Sequence, residues 1–422
     1  MKPQYIFLLL FLLIIIALVD LYTFRGIRKL TANFNPGIKT ISLSLFWTIT
    51  VIALLGLMII YLLSDKISYN ELFRLVTIFF GFFLLFYLPK IVFVLFQFLN
   101  DIVQWIGGFF QSGKEDISAE GMQGVNRRDF LLQIGIIAAT IPFASIFHGI
   151  IHGRYNYKIQ KVKLNFPNLP DEFEGTSIVQ ISDLHLGSFH GKTGKLKKAI
   201  NIINSLDPDY ILFTGDMVNN IAEEMNPFIS LLSGLKAKKA KFSILGNHDY
   251  GEYYNWGSED EWQENMQRLF DLEEKTGFRL LKNENVILES GDARIGLAGV
   301  ENWGIEPFPQ YGDVKKALSG LEEVPFKILM SHDPSHWDAI ILPETDVDLT
   351  LSGHTHGMQF AIRIPGWTWS PVKMKYPRWS GIYQEGKQLL YVNIGLGFIA
   401  FPGRVGTPPE ITFFELGKTK EK

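Results

Sequence analysis

The stretch IVQISDLH, residues 178–185, joins a short apolar run to an acidic residue and a histidine. Apolar runs of about four to eight residues that are bounded by Gly, Asp or Asn are typical of buried strands. The motif Asp183-Leu184-His185 is therefore predicted to lie where a strand ends and a loop begins. In open α/β sheets, ligands bind at this carboxyl edge of the strands.

Four further motifs that combine His, Asp, Asn and Gly follow apolar runs in the same way. They are Gly215-Asp216, Gly246-Asn247-His248-Asp249, His332 and Gly353-His354-Thr355-His356. The apolar runs that precede them are residues 210–213, 242–245, 326–330 and 347–351. One such motif alone would usually be a turn, because Asp, Asn and Gly are common after strands. An ordered series after five strands predicts one shared site.

The residue types in these motifs are those of a metal site. Two divalent ions about 3.5–4 Å apart require a bridging carboxylate and several further donors. Carboxylate, imidazole and amide groups suit borderline or hard ions. The chain contains no cysteine, which excludes a thiolate zinc site. The sequence therefore predicts a hydrolytic site that holds two metal ions.

In their order and composition the motifs resemble the calcineurin-like metallophosphoesterase superfamily, whose pattern is D-x-H, G-D, G-N-H-[DE], H and G-H-x-H. The resemblance covers about residues 160–417. It implies that one ion is held by Asp183, His185, Asp216 and His356. It also implies that Asp216 bridges to a second ion, which is held by Asn247, His332 and His354. Mn²⁺ is the expected metal, and Fe, Zn²⁺ and Mg²⁺ are the alternatives.

The same resemblance predicts catalytic and substrate-binding residues. His248 matches the superfamily's histidine that is not a ligand and that stabilises the transition state or protonates the leaving oxygen. Protein phosphatases of the superfamily continue G-D-x-x-D-R-G, whereas this chain has Asn219 and Asn220 at the last acidic and basic positions. This departure argues against a phosphoprotein phosphatase. Asn219 is a candidate substrate contact, and so is Arg404, which begins an R-x-G-x-x-P-E-I pattern seen in related enzymes.

The first third of the chain has a different composition. Four stretches are almost free of charged residues: 5–24, 41–63, 75–98 and 130–151. Each is close to the roughly 20 residues that a helix needs to cross a bilayer. The pair Pro89-Lys90 is expected to interrupt the third stretch, and residues 101–113 are expected to lie at the membrane interface. The sequence thus predicts a transmembrane helical region of about four spans over 1–152 and a catalytic domain over 153–422.

The loops between these stretches predict the orientation in the membrane. The first loop carries four basic residues and one acidic residue, which favours the cytoplasmic side: Arg25, Arg28, Lys29 and Lys39, with Asp20. Alternation then places the catalytic domain outside the cytoplasm, in a multi-pass protein of a bacterial cell membrane. The stretch Arg127-Arg128-Asp129-Phe130-Leu131 resembles a twin-arginine export signal. The alternative that the two arginines only anchor the head of the fourth span stays open.

The catalytic region is predicted to be α/β. Helices are predicted over 192–204, 223–235 and 259–276, between the predicted strands. The alternation predicts an α/β sandwich, and the resemblance implies the α/β/β/α form of the calcineurin-like metallophosphoesterases. The lysine-rich run 236–241 is interpreted as a solvated face, because no aromatic residues interleave it and the net charge is −3. No nucleic-acid partner is therefore expected.

Aromatic and apolar segments follow the last motif and include Trp367 and Phe398. Such residues belong either to the core or to a surface for acyl chains or the bilayer. With the four spans, they favour a phosphodiester or pyrophosphate on a lipid-linked substrate, and related branches include the UDP-diacylglucosamine hydrolases. Soluble nucleotide or sugar phosphates are the alternative. A membrane receptor or transporter with a metal-binding outer domain is a second alternative. Transport pathways usually need charged residues within the membrane, and the spans hold almost none besides Lys90.

Overall fold

The computed structural model describes residues 3–111 and 127–419, without the side chains of residues 3–10, 107–111 and 127–129. The chain divides into two compact units, Met1–His148 and Gly149–Lys422. The described part of the first unit is helical, and the second contains all five of the polar motifs.

Four long helices occupy the N-terminal part of the chain: α1 (Pro3–Leu30), α2 (Pro36–Leu63), α3 (Tyr69–Gln111) and α4 (Arg127–Ile151). Among the described residues, three segments are long and apolar enough to cross a membrane: Pro36–Leu63, Tyr69–Ile106 and Phe130–Tyr155. The first predicted span, 5–24, lies in α1, and some of its side chains are outside the description. The side chains of Arg127 and Arg128 are also outside it, so the twin-arginine signal stays a prediction.

Helix α3 differs from the sequence-based expectation. It runs unbroken through Pro89 for 43 residues, so Pro89-Lys90 interrupts the apolar sequence but not the helix. Residues 101–111 continue the same helix, and residues 112 and 113 lie outside the described part of the chain. A helix of this length measures about 65 Å, roughly twice the hydrocarbon thickness of a bilayer. Helix α3 therefore extends beyond the membrane core.

A buried ion pair connects three of these helices. Asp20 of α1 lies 2.5 Å from Lys90 of α3, measured from Oδ1 to Nζ. Thr50 of α2 and Tyr87 of α3 donate hydrogen bonds to the other carboxylate oxygen, at 2.7 and 3.0 Å. The Lys90 ammonium also lies 4.5 Å from the centre of the Phe46 ring. Asp20 is thus a buried partner of Lys90 rather than an acid of the first loop, and the paired charge of Lys90 gives no support to a transport pathway.

The second unit contains two six-stranded sheets and one separate hairpin. The strands are β1 (Lys158–Phe166), β2 (Ser177–Ile181), β3 (Tyr210–Phe213), β4 (Ala240–Ser243), β5 (Arg279–Leu280), β6 (Glu284–Ser290), β7 (Ala293–Gly299), β8 (Lys327–Met330), β9 (Leu349–Ser352), β10 (Ile362–Ile364), β11 (Trp367–Trp369), β12 (Gly381–Glu385), β13 (Gln388–Val392) and β14 (Glu410–Lys418). The first sheet has the order β1-β14-β2-β3-β4-β5, and the second has the order β12-β13-β9-β8-β7-β6.

Helices cover the outer faces of the two sheets: α5 (Thr193–Ser205), α6 (Ile229–Leu232), α7 (Glu259–Lys275), α8 (Val314–Leu318) and α9 (Leu342–Glu344). Strand β3 shows how the layers form, because successive side chains point to opposite faces of a sheet. Tyr210 and Leu212 pack in the core between the sheets. Ile211 and Phe213 pack in the core that includes residues of α5 and α7. The predicted α/β/β/α sandwich is confirmed.

One predicted helix is different in the structure. Residues 223–235 were expected to form one helix, but the chain forms a 3-10 helix over Ala222–Phe228 and then the short α6. Pro227 stands inside this segment and has no N–H to donate to a regular α-helix. The segment instead places Glu224 in the interior, where it is buried.

The aromatic residues after the last motif divide between core and surface. Phe398 is buried and lies 5.3 Å from Phe189, measured between ring centres. Trp367 is half exposed. Only the second of these side chains is therefore accessible to a membrane or an acyl chain.

The five polar motifs follow strands β2, β3, β4, β8 and β9. Strands β2, β3 and β4 are parallel neighbours in the first sheet, and β8 and β9 are parallel neighbours in the second. Hydrogen bonds join the ends of the two sheets, since Gln180 donates to the carbonyl of Ser352 and His354 N–H donates to Asp183. The motifs therefore meet at one edge of the sandwich.

We expect Asp20→Asn to destabilise the helical unit, because Lys90 would keep its buried charge without a counter-ion. Breaking a buried pair in this way typically costs about 3–5 kcal/mol. Thermal unfolding of the detergent-solubilised chain, followed by far-ultraviolet circular dichroism, should show a lower Tm. Asp65→Asn, at an exposed acid in the loop after α2, is the matched control.

The double variant Asp20→Leu/Lys90→Met should recover much of the lost stability, because it leaves no buried charge. An unchanged Tm in the single variant would mean that the pair does not hold the helices together.

Candidate metal centre

Seven polar side chains from the five motifs converge at the shared edge of the two sheets. They are Asp183, His185, Asp216, Asn247, His332, His354 and His356. All are buried except His354, which is partly buried. Burial of so many polar groups is costly unless each has a partner. The distances between these side chains show whether they fit a shared metal ion as their partner.

Two groups of ligand-type side chains occur among the described residues. Asp183, His185 and His356 form the first, and Asp216, His332 and His354 form the second. Within each group, the nearest ligand atoms lie within 4.8 Å of one another. These are the two sets that the resemblance implied, apart from Asn247 and the bridging role of Asp216.

In the first group, three side chains point at one small volume. His356 Nε2 lies 3.2 Å from Asp183 Oδ1 and 3.0 Å from His185 Nε2. Two imidazole nitrogens that face each other in a buried site cannot both act as acceptors without a proton or a cation between them. The arrangement fits a cation that takes an electron pair from each.

In the second group, Asn247 joins the predicted ligands. Its Oδ1 lies 2.8 Å from His354 Nδ1. His354 Nδ1 is 3.3 Å from His332 Nε2, and His332 Nε2 is 3.2 Å from Asp216 Oδ2. Ligand atoms at about 2.1 Å from one ion are separated from each other by about 3 Å in octahedral geometry. The spacing of these donors therefore fits a single divalent ion.

Asp216 stands between the two groups. Its Oδ2 is 3.2 Å from His332 Nε2 of the second group and 3.5 Å from His185 Nε2 of the first. This position fits a carboxylate that bridges two ions. The donor set contains only carboxylate, imidazole and amide groups, which suit borderline and hard divalent metals.

The electrostatics of the residues also favour cations. Burial opposes ionisation of Asp183, but His356 and then His332 hold the pKa of that carboxyl below its usual range. Burial lowers the pKa of His332, yet Asp216 overcomes this and raises the pKa to about 10. Both shifts show that positive charge stabilises the buried carboxylates of the site. A metal cation would supply such charge, and histidines bind a metal in the deprotonated form.

Five of the candidate ligand residues have left-handed backbone conformations. They are Asp183 (φ 53°), His185 (φ 47°), Asp216 (φ 62°), His354 (φ 71°) and His356 (φ 49°). This region costs about 1–2 kcal/mol for a residue with a side chain. Such strain persists only where the surrounding structure fixes it, and it is concentrated at functional sites. The strands end in sharp turns that aim each ligand into the site.

His248 lies beside the two groups and does not belong to either. Its backbone N–H donates to Asp216 Oδ1 at 2.9 Å. Its Nδ1 is 2.8 Å from the carbonyl oxygen of Asn219. A carbonyl oxygen can only accept, so Nδ1 carries the proton and Nε2 stays available. The ring is also in contact with Tyr253, at 4.8 Å between ring centres.

The backbone of Asn219, rather than its side chain, orients His248. The Asn219 side chain is buried, with Oδ1 3.4 Å from Ser188 Oγ. Its N–H donates to Glu224 at 2.6 Å, and the N–H of Gly187 donates to the same carboxylate oxygen at 3.1 Å. Burial raises the pKa of Glu224 to about 7. A carboxylate therefore holds this loop in place. It is that of Glu224, because the acidic position of the protein-phosphatase pattern is occupied here by Asn219.

Arg404 lies behind the first group. Its side chain is buried, and it donates to the carbonyls of Gly397 and Ile394 at 2.7 and 2.9 Å. Its Nη2 lies 3.0 Å from His356 Nδ1. These contacts indicate that Arg404 holds the loop of His356 in place. They do not favour the predicted direct contact between Arg404 and a substrate phosphate.

The sequence alone assigned no role to three residues that lie at or next to the candidate ligands. Asp249 accepts hydrogen bonds from four backbone N–H groups, including that of Asp216. Tyr376 Oη lies 2.8 Å from His354 Nε2 and donates to Asp333 at 3.1 Å. Asp249 closes the third motif and Asp333 follows His332 directly, so both were visible in the sequence. Tyr376 has no motif that could have identified it.

Two protein families match the chain. The family described as "Probable Calcineurin-like phosphoesterase, transmembrane domain" matches residues 4–154. The family described as "Calcineurin-like phosphoesterase" matches residues 176–358, which include every residue of the two groups. The first match and the apolar helices indicate a membrane protein.

Three relatives illustrate the similarity. The "Transmembrane protein with metallophosphoesterase domain" of Danio rerio is 26% identical over 285 residues, which are 66% of this chain and 61% of that protein. The "Uncharacterized metallophosphoesterase YkuE" of Bacillus subtilis is 32% identical over 304 residues, 71% of this chain and 100% of that protein. The "UDP-2,3-diacylglucosamine pyrophosphatase LpxG" of Chlamydia muridarum is 28% identical over 285 residues, 57% of this chain and 83% of that protein.

The matched regions contain both the apolar helices and the converging motifs. Family members of this kind are hydrolases that use two divalent metals, and the donor groups of this chain fit that requirement. The chain therefore belongs to the calcineurin-like metallophosphoesterase family and is a membrane-associated hydrolase of phosphate esters.

Proposed function

We propose that this metallophosphoesterase cleaves a phosphodiester or pyrophosphate bond in a lipid-linked substrate. The position of Asp216 is the observation that supports hydrolysis at a two-metal site. Its carboxylate lies between the two ligand groups and accepts a hydrogen bond from the backbone of His248. One residue thereby connects both proposed ions to the proposed catalytic side chain.

The proposed ligands of the first ion are Asp183, His185, Asp216 and His356. Those of the second ion are Asp216, Asn247, His332 and His354. When bound, the ions supply Lewis acidity and activate water as the nucleophile at neutral pH. We propose Mn²⁺ as the native metal, with Fe, Zn²⁺ and Mg²⁺ as alternatives, because mixed nitrogen and oxygen donors accept all four.

His248 acts on the phosphoryl group in this proposal. The Asn219 carbonyl fixes the ring through the Nδ1 proton. When the ring is also protonated at Nε2, that nitrogen donates a hydrogen bond to a phosphoryl oxygen or its proton to the leaving oxygen. Donors that are oriented before the reaction stabilise developing charge without reorganisation. The supporting chain from Glu224 through Asn219 keeps this ring in place.

Two features support a lipid-linked substrate. The relative from Chlamydia muridarum is named as a UDP-2,3-diacylglucosamine pyrophosphatase, and it is 28% identical. The chain also carries membrane helices that keep the hydrolase at a bilayer. From the basic residues of the first loop, we propose that the catalytic unit lies outside the cytoplasm of a bacterial cell. Soluble nucleotide or sugar phosphates are the alternative substrates.

Asp216→Asn should reduce both the metal content and the rate, because the residue is proposed to bridge the two ions. We expect fewer than two bound ions per chain by elemental analysis of the purified full-length protein. Turnover of bis(p-nitrophenyl) phosphate should fall by at least about 10²-fold, the usual effect of removing one electrostatic stabiliser. Asp292→Asn, at an exposed turn between β6 and β7, is the control. Native metal content and turnover in Asp216→Asn would contradict the bridging role.

His248→Ala should separate catalysis from metal binding. The imidazole is proposed to act on the substrate and not on the ions, so the metal content should stay near native. Turnover should fall by about 10²- to 10⁴-fold, the usual range for one positioned acid or base. Loss of metal from this variant would show instead that His248 is a ligand.

The lipid-linked substrate can be tested with matched pairs of phosphoesters. Each pair would contain a nucleotide or sugar pyrophosphate with acyl chains and its water-soluble head-group analogue. We expect kcat/KM to be at least about tenfold higher for the acylated member, since burial of two methylene groups is worth about that factor. Asp216→Asn should abolish turnover of both members. Equal or faster turnover of the soluble member by the detergent-solubilised full chain would favour the alternative.

A further inference from the structure

The hairpin of β10 and β11 exposes an apolar face. Its cross-strand pairs are Ile362 with Trp369 and Ile364 with Trp367, so four large apolar side chains share one face. Ile362, Ile364 and Trp367 are 45, 56 and 50% exposed. The middle pair, Arg363 with Thr368, faces the opposite side. The hairpin is therefore amphipathic, and its apolar face is open to the surroundings in the second unit.

The hairpin does not belong to either main sheet. It is attached to the second unit by hydrogen bonds at its base. Arg363 Nε donates to the carbonyl of Gly406 at 2.7 Å, and Ser370 Oγ donates to the carbonyl of Gly357 at 2.8 Å. A two-stranded hairpin alone is only marginally stable in water. Exposed apolar surfaces of this type mark sites of protein or membrane interaction.

The stretch of sequence that contains the hairpin is rich in basic residues. Residues 349–384 contain four basic residues and no acidic residue, in a chain whose net charge is −3. Two of the basic residues, Lys373 and Lys375, are exposed and flank Met374, which is 86% exposed. Tryptophan and aliphatic side chains beside lysine and arginine are typical of segments that lie in the membrane interface. The positive charge complements anionic lipid headgroups.

We propose that the apolar face of the β10–β11 hairpin, together with Met374 and its two lysines, inserts into the interface of an anionic bilayer. A bilayer is favoured over a protein partner because the chain has its own membrane helices. Only residues 152–157 separate α4 from β1, and six residues span about 20 Å at most. The lipid surface therefore stays within reach of the catalytic unit.

The hairpin is also connected to the metal centre. Ile362 begins β10 six residues after the ligand His356. On the far side of β11, the chain returns to the centre at Tyr376, whose hydroxyl contacts His354 at 2.8 Å. Insertion would bring the centre close to lipid headgroups. This consequence rests on the proposed lipid-linked substrate, whereas insertion itself does not.

The absence of cysteine allows a direct test on the full chain. Ile364→Cys would carry an environment-sensitive fluorophore on the apolar face, and Asp292→Cys would carry it at the exposed β6–β7 turn as the matched control. Both proteins would be placed in nanodiscs of phosphatidylcholine with or without phosphatidylglycerol. We expect the Ile364 label to be shielded from aqueous iodide and quenched by spin-labelled lipid, more strongly with phosphatidylglycerol. The Asp292 label should stay accessible to iodide.

Two further variants test the two parts of the surface. Adding Ile362→Ser and Trp367→Ser should return the Ile364 label to the accessibility of the control, because the apolar face is lost. Adding Lys373→Glu and Lys375→Glu should remove the preference for anionic lipid. Equal iodide quenching of the Ile364 and Asp292 labels in both lipids would overturn the proposal. Shielding only in nanodiscs that contain two chains would assign the face to a second copy, which also overturns it.

Hydrolysis of bis(p-nitrophenyl) phosphate in the same samples keeps this test separate from the proposed function. Turnover without shielding would leave the hydrolase intact and refute membrane insertion. Shielding without turnover in the metal-loaded protein would support insertion and refute the proposed hydrolysis. Far-ultraviolet circular dichroism of the same samples reports whether the hairpin variants are folded.

Discussion

The buried carboxylate of Asp249 holds together the two loops that bring Asp216 and Asn247 into the site. One of its oxygens accepts the N–H groups of Asp216 and Gly246, at 2.7 and 2.9 Å. The other accepts those of Met217 and Val218, at 2.7 and 3.1 Å. No basic side chain forms an ion pair with it among the described residues. Burial, and then repulsion from Asp216, raises the pKa of Asp249 to about 7, while the N–H donors oppose this rise. Burial of the Asp249 carboxyl is thus unfavourable by itself, but its four hydrogen bonds fix the turn that carries Asp216.

The same constraint appears at the junction of the two sheets. Asp183 accepts the N–H of His354, which follows strand β9 of the other sheet, and His332 Nδ1 lies 2.7 Å from the carbonyl of Thr214. These bonds span the sandwich, so the strained ligand turns are held from both sides. The space at the junction is too small for added atoms, since a Cβ on Gly246 would lie 2.6 Å from the backbone nitrogen of Asp216. Because the ligands are positioned by the scaffold, cation binding adds stability to a site that is already formed.

Features that depend on neighbouring residues could be predicted from the sequence, whereas contacts between residues far apart in the chain could not. Strands β2, β3 and β8 are marked by local apolar runs, and the ligands stand directly after them, so pattern and chemistry coincide. The partners of the ligands could not be predicted, because they come from distant parts of the chain. Glu224 accepts the N–H of Asn219 from a 3-10 helix. The apolar spacing of this segment predicted an α-helix instead. Asp20 and Lys90 are 70 residues apart, and the sequence alone does not pair the acid assigned to the first loop with the lysine inside the third span. Arg404 matched a family pattern, but only the three-dimensional contacts show that its side chain faces inward.

The surroundings of the second ligand group combine charge with apolar surface. The Phe308 ring stands edge-on to His354, at 4.7 Å between ring centres, and the Lys375 ammonium lies 4.4 Å from the centre of that ring. On the other side, Tyr253 is 47% exposed, accepts a hydrogen bond from Asn247 at 2.9 Å and packs beside His248. A phosphate at the centre would thus lie beside aromatic rings. These rings agree with the phosphodiester or pyrophosphate substrate that we propose, because aromatic surfaces provide contact area without competing for the phosphate oxygens.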